Sequence, residues 1–588
     1  MRLEEMGLIG NCQFSALVES SGSVVWCCWP RFDSEPVFSA LLDHDAGGRF
    51  RVAPAELRPG VQRYVENTNV LETRFDTEDG AFRVLDFAPR FLLYDRAFRP
   101  TQLVRIVEPL SGLPRVQVSC APLLGWSKAV PAQLQGSNHL NYEGFASPLR
   151  LTSDIPVEYL GGLPFALTER KHLVLSWGAP VEEPLAQLCD RYLSETVRYW
   201  QRWVKHCNIP AHYQRQVIRS ALALKLHCFE GTGAIVASTT TSIPESHGSG
   251  RNWDYRYCWL RDAYYSLGAF RLLGHFEERE SFVHYLLNIV AGTRDLRLSP
   301  LYRVDGTSNL EERILPAWPG FAGQGPVRIG NGAALQSQND IFGEMVLALA
   351  PIYLDERFSA ERSPTTLALL ERLAARALDV AGTPDAGIWE YRRDPAPQTF
   401  SSLMSWAAAD RMAKVAALHA PAAEAAFRIG AERIRREVIA RAWNPQLESF
   451  VAMYDAPDLD ASLLQMVSLR FLPLDDPRLR GTVHAIQKGL THDGWLYRYK
   501  LDDGLGETTV AFVICTFWLV EALASIGELD EAKAVMDRAQ SALSPLGLLS
   551  EDYEAGGMRM WGNFPQAYSH VGLIHAAFAA SPRWSDVL

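Results

Sequence analysis

Three stretches of the chain set carboxylates beside aromatic rings, the first of them too polar for a core helix and too aromatic for a solvated loop. The first is Arg251-Asn-Trp-Asp-Tyr-Arg-Tyr-Cys-Trp-Leu-Arg-Asp262. It holds three Arg, two Asp, two Trp and two Tyr in twelve residues, with Arg261-Asp262 opening a helix. The second is Asp385-Ala-Gly-Ile-Trp-Glu-Tyr-Arg392, where Gly387 permits a tight turn and Trp389 can wall Glu390 with low dielectric. Such a wall raises a carboxyl pKa, as a general acid requires. The third is Gly547-Leu-Leu-Ser-Glu-Asp-Tyr553, followed by a Gly-rich turn and Trp561-Gly-Asn-Phe-Pro-Gln-Ala-Tyr-Ser-His570. Two carboxyls on separate loops are what glycosidic-bond hydrolysis needs. One protonates the leaving oxygen; the other activates water at ~6.5–9.5 Å separation or attacks directly at ~5–5.5 Å. Each stretch also has a plainer alternative: Asp262 as a helix N-terminal acid, Glu390 as a surface partner of Arg392, and Glu551-Asp552 as a solvated acidic patch.

Other chemistries find less support. There is no Walker A motif, no Rossmann glycine fingerprint after a strand and no Gly-x-Ser-x-Gly elbow. His247 has no partner at a zinc-like spacing and His570 stands alone at a helix start. No cofactor and no obligatory metal are expected.

The elements that must position these loops fall into two kinds. Runs at Ser15 to Glu19, Ser23 to Cys28, Val70 to Phe75, Gln102 to Val107, Arg115 to Cys120 and His172 to Trp177 read as strands punctuated by Pro and Gly. A Glu78-Asp79-Gly80 turn marks a hairpin. We expect an antiparallel β-sandwich over residues 1–184. Leu188, Tyr192, Val197, Trp200 and Val204 give a linker helix helical spacing over residues 185–210. Over residues 211–588 about twelve amphipathic helical segments are expected, starting near His212, Leu260, Glu277, Leu335, Pro364, Phe400, Ala422, Ser462, Pro477, Thr509, Leu529 and Pro565. Helical hairpins closed into a ring fit these segments better than a repeat solenoid, for which no fixed period exists.

Composition limits the partners. The 588 residues are 48% hydrophobic and 21% charged, with net charge -11, and carry no basic run. A globular chain of this balance is a poor candidate for nucleic-acid or membrane-surface binding. No apolar run spans a bilayer, the N-terminus lacks a signal-peptide h-region, and the nine cysteines include no C-x-x-C pair. These features point to a reducing cytoplasm. The partner expected is a small oligosaccharide or disaccharide; a homo-oligomer is compatible with the sequence.

With these residues in view the chain resembles glycoside hydrolase family 15, the bacterial glucoamylase-like and trehalase-like enzymes. The resemblance rests on the opening GLIGNCQFSALVESSGSVVWCCWPRFDSEPVFSALLD and on NWDYRYCWLRDA, DGTSNLEER, IGNGAALQSQNDIFGEM, GIWEYR, LDASLL, FWLVEAL, GLLSEDYE and GNFPQAYSHVGLI. It implies a β-sandwich followed by an (α/α)6 barrel, the six-hairpin glycosidase architecture, and an inverting mechanism. Position by position it implies Glu390 as general acid and Glu551 as general base. Arg261 and Asp262 would grip the 4- and 6-hydroxyls of the non-reducing glucose, and Trp389 would line the first subsite. Trp259 and Arg392 join the substrate-binding candidates, with Asn331, Gln338 and Asp340 as pocket or supporting positions. Two departures, Ser402 where many relatives carry Lys and Thr509-Val-Ala-Phe where many carry Glu-Gly-Ala-Phe, bear on linkage and chain length. The expected activity is exo-acting release of β-glucose from short α-glucosides, glucoamylase-like α-glucosidase ranking slightly above trehalase. A disaccharide phosphorylase would lack the base carboxylate, and a non-catalytic sugar sensor would lack one of the pair; both carboxyls are present.

Overall fold

The computed structural model describes residues 1–291, 293, 295–505 and 509–588. Its first part is two antiparallel sheets packed face to face. One runs Met6–Gly10, Ser15–Glu19, Ser23–Cys28, Arg49–Pro54, Arg115–Ala121 and Phe165–Ala166, with Pro36–Phe38 beside Ser23–Cys28. The other has eight strands in the order Gln133–Gln135, His139–Tyr142, Leu149–Ser153, Lys171–Trp177, Gln102–Gly112, Gly80–Phe87, Leu71–Thr77 and Val61–Tyr64. The expected hairpin is present: Thr77 pairs with Gly80 across the two-residue turn Glu78-Asp79.

Between the sheets lie Phe14, Val24, Phe50, Phe75, Phe82 and Leu175. A fully buried ion pair ties the layers. Arg105 meets Asp86 within its own sheet at 2.7 and 3.1 Å and donates to the Phe50 and Gly22 carbonyls of the other at 2.6 and 2.8 Å. Burying a guanidinium is tolerable only when its donors are satisfied in this way.

Helix α1 (Leu185–Lys205) lies on the sandwich, packing Leu188, Cys189 and Tyr192 against Phe91 and Val174. Beyond it come α2 (Gln214–Lys225), α3 (Leu260–Leu273), α4 (Glu277–Ala291), α5 (Asp340–Leu349), α6 (Pro351–Leu354) and α7 (Pro364–Val380). They are followed by α8 (Thr399–His419), α9 (Pro421–Ala442), α10 (Gln465–Leu469), α11 (Pro477–Leu490), α12 (Val513–Ser525), α13 (Leu529–Ala539) and α14 (Ala567–Ala580). Among the described residues, α3, α5, α8, α10 with the turn before it, α12 and α14 touch in that order, and α14 returns to α3. This is a closed inner ring. Helices α2, α4, α7, α9, α11 and α13 back it from outside.

The two rings differ in patterning. The outer α7 buries Leu369, Leu370, Leu373, Ala374 and Ala377 on one face and is capped by the Ser363 hydroxyl, which accepts from Thr366 N–H at 3.1 Å. Two inner helices lack a polar face: α12 is buried without a break from Val513 to Val520, and α14 from Ala567 to Ile574. Both faces of these two helices meet protein, so the amphipathic spacing expected for every segment fails in them. Close approach is part of the design. A Cβ on Gly343 of α5 would come within 2.3 Å of the Met404 carbonyl of α8.

Three expected helix starts shift. Near Ser462 the chain first forms the 3-10 turn Ala461–Leu464, and α10 begins at Gln465. Gly332–Leu335 is a 3-10 turn, and α5 begins at Asp340 after the polar run Gln336-Ser-Gln-Asn339. Likewise Ala511–Phe512 pairs as a strand before α12 begins at Val513.

Candidate active site

The loops entering the inner helices gather at one end of the ring. Arg261 is in the first turn of α3, Glu390 precedes α8, Asp460 caps the turn before α10, Phe512 immediately precedes α12, and Glu551 lies on the approach to α14. This end also carries the positive ends of the helix dipoles, which favours acidic side chains there.

The stretch from Arg251 to Asp262 divides its labour. Arg256 meets Asp254 at 2.9 and 2.7 Å and donates to the Ser34 carbonyl of the sandwich at 2.7 Å. The Tyr257 hydroxyl donates to the same Asp254 at 2.9 Å. These residues anchor the loop, while Arg251, Trp253, Tyr255 and Arg261 line the cavity. Trp259 Nε1 donates to Glu390 Oε1 at 2.6 Å. Arg261 Nη1 donates to the Ile388 carbonyl at 2.6 Å and reaches Glu390 Oε1 at 3.4 Å, while its Nε donates to Asp262 Oδ2 at 3.2 Å.

Glu390 sits in a left-handed turn at φ 60°, its N–H donating to the Gly387 carbonyl at 3.2 Å. Gly387 itself has φ 68°. Trp389 turns the other way, donating Nε1 to both oxygens of Asp460 at 2.9 and 3.0 Å, with Phe512 and Trp518 rings against it.

Glu551 is 1% exposed. Its Oε2 accepts the Asn563 N–H at 3.1 Å, and Tyr255 lines the same cavity. Gly562 makes room for it: at φ 71°, a Cβ there would lie 2.6 Å from Glu551 Oε2. Burial first, and Glu245 second, push the Glu551 carboxyl up from the ordinary glutamate value. Asp552 beside it is likewise pushed well above the ordinary aspartate value, first by burial and then by Glu551 itself.

Glu390 and Glu551 line one cavity together with Arg261, Trp389 and Arg392. Asp262 stands behind Arg261, 2% exposed and raised to about 6, chiefly by burial. Trp259 stands behind Glu390. Three supporting candidates are set back from the cavity wall. Asn331 caps the 3-10 turn, accepting the Ala333 N–H at 3.0 Å. Gln338 reaches Glu390 only through Gln336, whose Nε2 donates to the Glu390 carbonyl at 3.3 Å. Asp340 is wholly buried at the start of α5, its carboxyl pushed up by burial. The plainer pairing of Glu390 with Arg392 does not occur, since Arg392 faces Glu312 at 3.5 Å.

The cavity also recruits residues that sequence reasoning did not single out. Glu245 accepts from Trp253 Nε1 at 2.9 Å and from Arg498 at 2.6 Å. Arg251 meets Asp503 at 2.7 and 2.8 Å, and Tyr499 donates to Asp503 at 2.6 Å. Tyr255, Phe512 and Tyr568 complete the wall. Tyr255 and Tyr568 were available inside quoted motifs. Glu245, Arg498 and Asp503 carry no local signal.

A closed double ring of helices behind a β-sandwich, with paired carboxyls in loops at one end, is the architecture of a glycosidase. Residues 211–530 match the model of glycosyl hydrolases family 15, and residues 1–159 match a trehalase-like N-terminal domain. The chain belongs to glycosyl hydrolases family 15. It is 36% identical to a trehalase of Mycolicibacterium smegmatis, over 98% of this chain and 90% of that protein. It is 32% identical to a trehalase of Thermoplasma volcanium, over 98% and 93%. A solved bacterial glucoamylase complexed with acarbose shares the fold, with TM-score 0.65 and 14% identity over 98% of this chain and 93% of that one. No helix among the described residues is long and apolar enough to cross a membrane.

Proposed function

We propose that this glycoside hydrolase is a trehalase that cleaves α,α-trehalose with inversion at one anomeric carbon. The observation that carries the reading is the meeting of Glu390 and Glu551 in one cavity with Arg261 and Trp389. The relatives move the preference from a glucoamylase-like α-glucosidase to trehalose, since trehalases match both parts of the chain at nearly full length.

In this reading Arg261, backed by Asp262, holds hydroxyls of the first glucose through charge-assisted hydrogen bonds. Glu390 donates a proton to the oxygen joining the two rings. Glu551 takes a proton from water that attacks the anomeric carbon from the opposite face. The attacked ring leaves as β-glucose, while the other ring keeps its α configuration. The nine unpaired cysteines, eight of them buried, suit a cytoplasmic enzyme acting on a soluble disaccharide.

The test is trehalose hydrolysis followed by NMR before mutarotation. Equal early amounts of α- and β-glucose are expected. Only α-glucose would mean retention, and no cleavage of trehalose alongside cleavage of maltose or isomaltose would restore the α-glucosidase reading.

A further inference from the structure

The motif Asp305-Gly-Thr-Ser-Asn-Leu-Glu-Glu-Arg313 supplies nothing to the two carboxyls, yet one of its members sits at a junction beside them. Glu312 accepts the Gly332 N–H at 2.8 Å, faces Arg328 Nε at 3.4 Å and faces Arg392 Nη2 at 3.5 Å. Both guanidiniums also sit over the ring of Trp253, at 4.7 and 5.1 Å from its centre. Trp253 in turn is pinned through Nε1 to Glu245. The Arg392 backbone is fixed separately, its N–H donating to the Asp503 carbonyl at 3.1 Å. The side chain of Arg392 is therefore held at its root and against a ring.

Its place in the cavity gives this frame a meaning. The deep end is closed by Arg261 and Tyr568, at the starts of α3 and α14, with Tyr568 2% exposed. Arg392 and Leu505 line the same cavity from exposed positions, Leu505 being 42% exposed. Glu390 lies between these ends in the chain of contacts, bonded to the Arg261 side and two residues from Arg392. Arg392 therefore lies on the outer side of Glu390, where a ring beyond the cleaved bond would sit. The 3.5 Å approach to Glu312 is an ion-pair distance rather than a short hydrogen bond. The guanidinium thus keeps donors for neighbouring sugar hydroxyls, whose spacing its planar fork can match.

We propose that Arg392 grips the leaving glucose, and that Glu312 is a positioning residue that holds Arg392 against Trp253 for this task. The proposal rests on the trehalase reading for the identity of that second ring, and on the cavity alone for its position.

The experiment compares kcat/KM on trehalose with kcat/KM on α-glucosyl fluoride, which offers the same first ring and no second one. For Arg392→Ala, the trehalose-to-fluoride ratio is expected to fall about 10–100-fold, the effect of losing charged hydrogen bonds to a ligand. Arg392→Lys is expected to restore only part of it, because an ammonium cannot reproduce the fork. Glu312→Ala should lower the ratio in the same direction by a smaller factor, with Glu312→Gln closer to wild type because its amide oxygen still accepts the Gly332 N–H. Circular dichroism and melting temperature check that each variant folds.

Equal losses on both substrates, or an unchanged ratio for Arg392→Ala, would overturn the role of Arg392. An unchanged ratio for Glu312→Ala beside a lowered one for Arg392→Ala would overturn that of Glu312. If the wild-type enzyme leaves trehalose intact, the trehalase reading fails by itself. The same ratio is then taken with the disaccharide that is cleaved, and the role of Arg392 stands or falls on that number.

Discussion

Glu390 and Glu551 meet in one cavity but live in different surroundings. Glu390 is met by donors: the Trp259 indole N–H and the Arg261 guanidinium. Glu551 is buried, takes one backbone N–H, and has the carboxyl groups of Glu245 and Asp552 for neighbours. The first carboxyl is oriented by hydrogen bonds from the barrel. The second is oriented by exclusion, squeezed against a glycine in a turn. Two groups of one residue type can thus be prepared for different work by burial, donors and like charges.

The strongest way to break this comparison is to neutralise each carboxyl. Glu390→Gln and Glu551→Gln should each lower kcat on trehalose about 10²–10⁴-fold. On α-glucosyl fluoride, whose leaving group needs no proton, Glu390→Gln should recover most of its rate and Glu551→Gln should not. The opposite pattern would exchange the two roles.

Gly562→Ala should follow. A Cβ 2.6 Å from Glu551 Oε2, on a backbone at φ 71°, must displace the carboxyl. A shift of about 1 Å can cost on the order of 10²-fold in rate, so kcat is expected to fall by roughly that factor with the Glu390 side intact. A wild-type kcat in the folded variant would show that the position of Glu551 is not critical.

On the Glu390 side, Asp262→Asn removes the carboxylate behind Arg261. We expect kcat/KM to fall about tenfold on every glucoside, whatever the leaving group, as a charged hydrogen-bond partner is lost. Were Asp262 only a helix N-terminal acid, the variant would lose at most about 1 kcal/mol of stability and keep its kinetics. Melting temperature and specificity constant measured on one preparation separate the two cases.

A smaller effect is expected in the pH profile. Because burial and Glu245 raise the Glu551 carboxyl, the acid limb of kcat/KM should lie above the ordinary glutamate value. Glu245→Gln removes the anionic neighbour and should move that limb to lower pH; an unmoved limb would assign it to another group.

The least effect is on stability. A carboxyl whose folded value is raised binds its proton more tightly in the native state, so its contribution is present below the unfolded value and is lost as pH rises through the folded one. The melting temperature of Glu551→Gln should therefore gain on wild type as pH rises from about 5 to 8. A constant difference across that range would contradict the raised carboxyl.

Much of this site was legible in local sequence because its loops carry unusual chemistry. Trp389-Glu390 stands out as an acid beside an aromatic ring, and Glu551 as a loop acid after the apolar Leu548-Leu549. Arg261-Asp262 stands out as a charged pair at a helix start. Asn331 and Gln338 were harder, because a buried amide that caps a turn and one that binds sugar have the same sequence. Glu245, Arg498 and Asp503 had no signal, since each gains its meaning from a partner brought by another loop, as Arg498 does from Glu245. In the helical region the outer α7 follows a one-sided pattern, whereas α12 is buried all round and gives periodicity little to read.

The sequence by itself determined the alternation of strands in the first part, the spacing of helices in the second, and the glycosidase motifs with their two carboxyls. These are local matters: side-chain period, turn residues and short-range chemistry suffice for them. Only the tertiary structure decided that six inner helices begin at a common end, that Trp259 and Arg261 reach Glu390, and that Glu245 and Asp552 crowd Glu551. It also decided that Arg392 leaves Glu390 for Glu312 and Trp253. The reason is physical. Burial and electrostatic neighbourhood depend on segments far apart in the chain, and they exist only once the ring has closed.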